Sequence, residues 1–158
     1  MLLSWYLFFG KNYQFIYNVG SSMVPTFQHK EWLVTQKKTS LQKGWVPEKN
    51  DIIIVSNGDE DLTKRVLALE GEYVRVKHGR IHVDDEKYKD PFTHQNITYW
   101  LEEEGERNKK PREEWLFLNL DMDIGVVPKG YVWVIGDNRH MSWMGFVKIE
   151  DIKALVIF

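Results

Sequence analysis

"EYVRVKHGRIHVDD", Glu72 to Asp85, alternates apolar and polar residues on both sides of His78-Gly79. A period of two marks a half-buried strand, because successive side chains of an extended chain point to opposite faces. Read as a hairpin turning at His78-Gly79, the stretch puts Val74, Val76, Ile81 and Val83 on one face. The chain is therefore expected to be β here.

The neighbouring segments agree. "DIIIVS", Asp51 to Ser56, is a β-branched run suited to a buried strand, and "GYVWVIGDN" from Gly130 and the terminal "IKALVIF" also favour strands. From Lys30 to Asp61 short apolar runs are separated by Gly, Pro, Asn and Asp, the punctuation of strands and turns. The one helical reading falls in the charged region of about 84–120, which contains "LEEEGERNKKPREEW" and reads as a solvated excursion from the sheet. With no repeat and no linker, the expected fold is mostly β: folded antiparallel sheets forming a partial barrel with a charged β/helical excursion.

A chain of 158 residues, 43% hydrophobic, is large enough for one domain with a real core. A formal charge of −2 and a pI near 6.2 give no general attraction to nucleic acid, so none is expected as a partner. The absence of cysteine excludes disulfides, thiolate metal sites and cysteine nucleophiles. The five histidines show no HExxH or other close ligand spacing, so no metal is expected. "MLLSWYLFFG", Met1 to Gly10, is apolar but stops at Lys11, short of the roughly 20 residues a spanning helix needs. It also lacks the basic start and small-residue cleavage site of a removable secretory signal. Residues 1–18 read as the end of a membrane anchor or an interfacial segment touching lipid, with a buried strand or helix as the alternative; 19–158 form the remaining domain.

Three stretches bear on chemistry. "GSSMVPTF", Gly20 to Phe27, offers paired serines, and a serine is a weak nucleophile without a base. Histidine is the familiar base. His78 and His82 belong to the hairpin, His29 lies in a polar loop seven residues from Ser22, and His140 follows Gly-Asp-Asn-Arg. Lysine is the other choice, but an unperturbed amine with a pKa of ~10.4 is neutral in only about one molecule in a few thousand at pH 7, so a lysine base must be desolvated. "LTKRVLALEG" provides such a setting: in an extended segment Leu62, Lys64 and Val66 share one face and Arg65 takes the other. A lysine buried there is costly unless neutral or partnered, and snorkelling to water is its structural alternative. In "VIGDNRHMSWMGF" the Gly136-Asp137-Asn138-Arg139 run reads as a turn, with Ser142 able to orient a neutral amine.

Together these stretches resemble the type I signal peptidases, membrane-anchored serine proteases that remove signal peptides from exported proteins. "GSSMVPTF" is similar to the family's nucleophile box, "TKRVLALEGE" to its lysine box and "GDNRHMS" to its Gly-Asp-Asn-Arg box, in the family's order. "GRIHVDDEKYKDPF" resembles a segment of Gram-positive members. The resemblance implies Ser22 as nucleophile, Lys64 as general base and Ser142 as the hydroxyl that orients the amine, with Asp137 and Arg139 in support. It also implies an extended signal peptide lying beside Val19, Gly20, Met23 and Pro25 on one side and Asp61 and Leu62 on the other. Small substrate residues at −1 and −3 would fill shallow pockets, no cofactor would be needed, and the catalytic domain would sit on the extracytoplasmic face of the cell membrane. The sequence leaves the oligomeric state open.

"HMSWMG" is shorter than the family's usual continuation and lacks a second Asp and Arg, which motivates an alternative function as a non-catalytic docking or assembly factor, as in pilus systems. The self-cleaving repressors, which share a Ser-Lys dyad, fit poorly: Ala68 and Ala154 are each followed by Leu, and no helix-turn-helix pattern precedes Ser22.

Overall fold

In the computed structural model, which describes residues 9–56, 58, 60–77, 80–89, 122–139 and 142–157, the regular structure is almost entirely strand. In chain order these are β1 (Tyr13–Asn18), β2 (Glu31–Lys37), β3 (Ile52–Ser56), β4 (Asp61–Ala68), β5 (Tyr73–Lys77), β6 (Arg80–Val83), β7 (Glu86–Lys87), β8 (Met122–Val126), β9 (Tyr131–Ile135), β10 (Met144–Lys148) and β11 (Ile152–Val156). The expected hairpin is β5 and β6, with Val74 opposite Val83 and Val76 opposite Ile81. Residues 84–89 turn back into β7; the rest of the charged region, with its expected helix, lies outside the described residues, as do His78, His94 and His140. Tyr13–Asn18, grouped in the sequence with the apolar N-terminal segment, is the edge strand β1. Among the described residues no helix is long and apolar enough to cross a membrane.

Two sheets result. One has the order β1-β2-β11-β3-β4-β9-β10, the other β7-β6-β5-β8, and the paired strands in both run antiparallel. In β9 the two faces separate by parity. Val132 and Val134 join Ile53, Val55, Val66, Val147 and Ile152 in one cluster, whereas Trp133 and Ile135 join Leu67, Val74, Val83 and Val127 in another. Burial on both faces is why "YVWVI" is apolar without alternation. The first cluster unites β10 with β3 and β11, which are well separated from it in strand order, so the large sheet must curl over its own face into a partial barrel. The second is where the small sheet packs on the back of β4 and β9.

Trp133 is buried between the sheets. Trp133→Ala is expected to destabilise the fold by about 3–5 kcal/mol through lost burial and a cavity, read as a lower urea midpoint with unchanged slope.

Candidate active site

β1 ends at Asn18 and β2 begins at Glu31, so Val19 to Lys30 must return the chain in a short loop. Gly20 makes the first bend with φ +108°, a left-handed conformation that side-chain-bearing residues resist. Its N–H donates to His29 Nδ1 at 2.9 Å. Local bonds from Val24 N–H to the Ser21 carbonyl and from Phe27 N–H to the Met23 carbonyl tighten the loop. Met23 is completely buried and anchors it, leaving the adjacent Ser22 partly exposed.

Lys64 lies in the middle of β4, opposite Ile53 of β3. Its parity places it with Leu62 and Val66, on the face of the first apolar cluster, and it is 2% exposed. The ammonium reaches Ser22 Oγ at 3.1 Å and the Thr63 carbonyl at 3.0 Å. Burial lowers its pKa from 10.5 to about 8, because desolvation penalises the charged form. Roughly one amine in ten is then neutral at pH 7, a few-hundredfold more than for an exposed lysine. In that form the Ser22 hydroxyl can donate to Nζ across the same contact.

Arg65, on the opposite face, is handled differently. Its Nε and one terminal nitrogen bind the two carboxylate oxygens of Asp137 at 2.8 and 2.7 Å, and its other terminal nitrogen binds the Asn50 carbonyl at 2.9 Å. Thr26 also donates to Asp137, which ties the Ser22 loop to β4 through a buried pair. Asn138 adds two bonds at 3.0 Å, from its N–H to the Ser22 carbonyl and from Nδ2 to the Ser21 carbonyl. Arg139 is buried and donates to the Gly136 carbonyl.

Ser142 takes a different partner from the one expected. Its hydroxyl accepts the Gly136 N–H at 2.6 Å and donates to the Trp143 carbonyl at 2.8 Å, while the recorded bonds of Lys64 go to Ser22 and Thr63. The shape of Gly136 explains the arrangement. A Cβ there would lie 2.2 Å from the Ser22 carbonyl oxygen and 2.3 Å from Ser142 Oγ, so the glycine is the gap through which the two serine segments meet.

The remaining expected residues surround this centre. Val19 is 73% exposed and Pro25 is exposed, Asp61 pairs with Lys153 at the start of β4, and Leu62 packs against the first cluster. Leu62 also lines a cavity of about 290 Å³ with Val55, Trp143, Phe146 and Val147. The recorded ladder from β4 to β9 runs from Arg65 onward, which leaves the Asp61–Lys64 half unpaired by β9. Among the described residues no group of three or more His, Cys, Asp or Glu could hold a metal ion. Thr26, Arg65, Gly136 and Asn138 were not singled out from sequence as site residues; their partners lie up to 117 residues away, and only their place within the boxes marks them.

The family model for signal peptidase, peptidase S26, matches residues 2–158. Signal peptidase I of Bacillus caldolyticus is 29% identical over 151 residues, covering 88% of this chain and 74% of the relative. Signal peptidase I U of Bacillus subtilis strain 168 is 26% identical over 149 residues, covering 88% and 72%. The crystal structure of a signal peptidase I from Enterococcus faecalis V583 superposes with a TM-score of 0.52 at 22% identity, over 72% of this chain and 98% of that one, a likeness of fold.

Two expectations follow from the geometry. Lys64 binds its proton less tightly folded than unfolded, so between about pH 8 and 10.5 the unfolded chain holds more protons and stability rises with pH; below that window the buried amine carries a constant cost of about 3 kcal/mol. Lys64→Met should remove this component, so that the stability difference between the variant and the wild type narrows as pH rises from 7 to 10, measured by chemical denaturation. Gly136→Ala should separate the Ser22 and Ser142 segments and reduce turnover at least about tenfold, with circular dichroism confirming a folded sheet.

Proposed function

The chain belongs to the signal peptidase, peptidase S26, family, and from that membership we propose a serine endopeptidase that removes N-terminal signal peptides from exported pre-proteins with Ser22 as nucleophile and Lys64 as general base. The 3.1 Å contact between Ser22 Oγ and the buried Lys64 amine carries the assignment of roles. In this reading neutral Lys64 takes the Ser22 proton as Oγ attacks the scissile carbonyl, then returns it to the leaving amine when the peptide bond breaks. The released amine carries away the new N-terminus, and a water activated by Lys64 hydrolyses the acyl-enzyme. The Ser22 N–H is one donor to the oxyanion.

The substrate lies extended beside Val19, Gly20, Met23 and Pro25 and along the half of β4 that β9 leaves unpaired, where Asp61 and Leu62 sit. Small residues at −1 and −3, the Ala-x-Ala pattern, face the protein. Asp137 and Arg139 support the loop, and Ser142 acts through Gly136 rather than by touching the amine.

The same reading places the domain on the extracytoplasmic face of a cell membrane, in contact with lipid. Supporting it, Phe15 and Tyr17 alternate along the exposed edge strand, Val19 follows just beyond its end, and Trp32 is paired with Tyr17, their rings 4.8 Å apart. Phe15, Val19 and Trp32 are each more than 60% exposed, an apolar, mostly aromatic patch suited to the interfacial layer of a bilayer.

The test is cleavage of a purified pre-protein with an Ala-x-Ala site, in detergent and lipid, by wild type, Ser22→Ala and Lys64→Ala. Both variants should lose on the order of 10³-fold or more in kcat/KM, and wild-type cleavage should rise with pH through about 8 as Lys64 deprotonates. Undiminished cleavage by either variant would remove that residue from its role.

A further inference from the structure

Ser22, in the loop that follows β1, and Lys64, in β4, belong to parts that the large sheet does not bring side by side, since β2, β11 and β3 lie between β1 and β4. The backbone ladder alone therefore sets their separation only through three intervening strands. Asn18, the last residue of β1, bridges the gap. It is 6% exposed, and its Oδ1 accepts a bond from Thr63 Oγ1 at 3.3 Å. Thr63 immediately precedes Lys64, and its carbonyl holds the Lys64 amine at 3.0 Å.

The other groups of Asn18 close the neck of the Ser22 loop. Nδ2 donates to the Gln28 carbonyl at 3.0 Å, and the Asn18 carbonyl accepts the Lys30 N–H at 2.8 Å. One side chain thus joins both ends of the loop that carries Ser22 to the residue that holds Lys64. A carboxamide buried here is stable only while these bonds are made, so it favours a single placement of the loop. Asn138 holds the same loop beside the end of β9, and Asp137 joins it to Arg65 from the other face of β4; Asn18 is the link that fastens the neck of the loop to Thr63.

We propose that Asn18 is a positioning residue, whose carboxamide sets the Ser22-to-Lys64 distance by fastening the loop neck to Thr63. The proposal rests on the Ser22–Lys64 assignment above. It acts on the geometry of proton transfer, so its loss should appear in kcat more than in KM.

The experiment measures kcat, KM, the pH–rate profile and thermal melting for wild type, Ser22→Ala, Asn18→Ala, Thr63→Val, Thr63→Ser and the Asn18→Ala/Thr63→Val double variant, on one pre-protein peptide. Thr63→Val keeps shape while removing the hydroxyl, so it tests the same bond if Asn18→Ala does not fold. Asn18→Ala and Thr63→Val should each lower kcat about 10- to 100-fold with KM within about twofold. Their alkaline-rising limb should move upward as water reaches the amine, the double variant should be little worse than either single one, and Thr63→Ser should recover most of the loss. The positioning role is overturned if folded Asn18→Ala and Thr63→Val keep wild-type kcat, if their losses multiply independently, or if the loss follows melting temperature with an unmoved pH limb. Retained cleavage by Ser22→Ala would instead overturn the nucleophile assignment and this proposal with it.

Discussion

The structure depends on an amine held out of water with no carboxylate beside it among the described residues. Lys64 is buried on the apolar face of β4, with a hydroxyl and a peptide carbonyl as its recorded partners. Neither partner can fix the positive charge as a carboxylate would, and desolvation brings the pKa down to about 8. The surrounding fold must carry the resulting penalty, and two sheets with both faces of β9 packed provide the apolar burial that offsets it. A fold tuned only for stability would not keep this residue there.

The neighbouring Arg65 shows how one strand accommodates two opposite requirements. Successive residues of β4 point to opposite faces, so Lys64 and Arg65 enter different environments despite sharing a peptide bond. Arg65 meets Asp137 in a bidentate pair and remains charged. That pair also receives Thr26, so the ion pair behind the sheet anchors the loop that presents Ser22 in front of it. Removing one partner of such a buried pair leaves the other unpaired, typically a loss of about 3–5 kcal/mol.

Close approach completes the centre. Gly136 lacks the carbon that would collide with the Ser22 carbonyl and Ser142 Oγ, and Asn138 binds the carbonyls of Ser21 and Ser22 from the next turn. The Gly-Asp-Asn-Arg run is a turn, as its composition suggests, but each member also has a separate contact to make. Ser142 belongs to this turn by its bond to Gly136, which is compatible with the shortened segment that follows it.

By itself the sequence determined the strand character of most of the chain, because period-two alternation and β-branched runs are local properties. The facing of Val74, Val76, Ile81 and Val83 and the shared face of Leu62, Lys64 and Val66 follow from that parity alone. The apolar setting of Lys64 is visible in one dimension, and the resemblance of the three boxes is what pointed to Ser22 as its partner. Only the tertiary structure decided that the Ser142 hydroxyl bonds to Gly136, that Asp137 joins Arg65 to Thr26, and that Asn18 reaches Thr63. Those partners are brought together by the curl of a sheet and the closing of loops, and no local pattern records which distant polar group a buried side chain will meet.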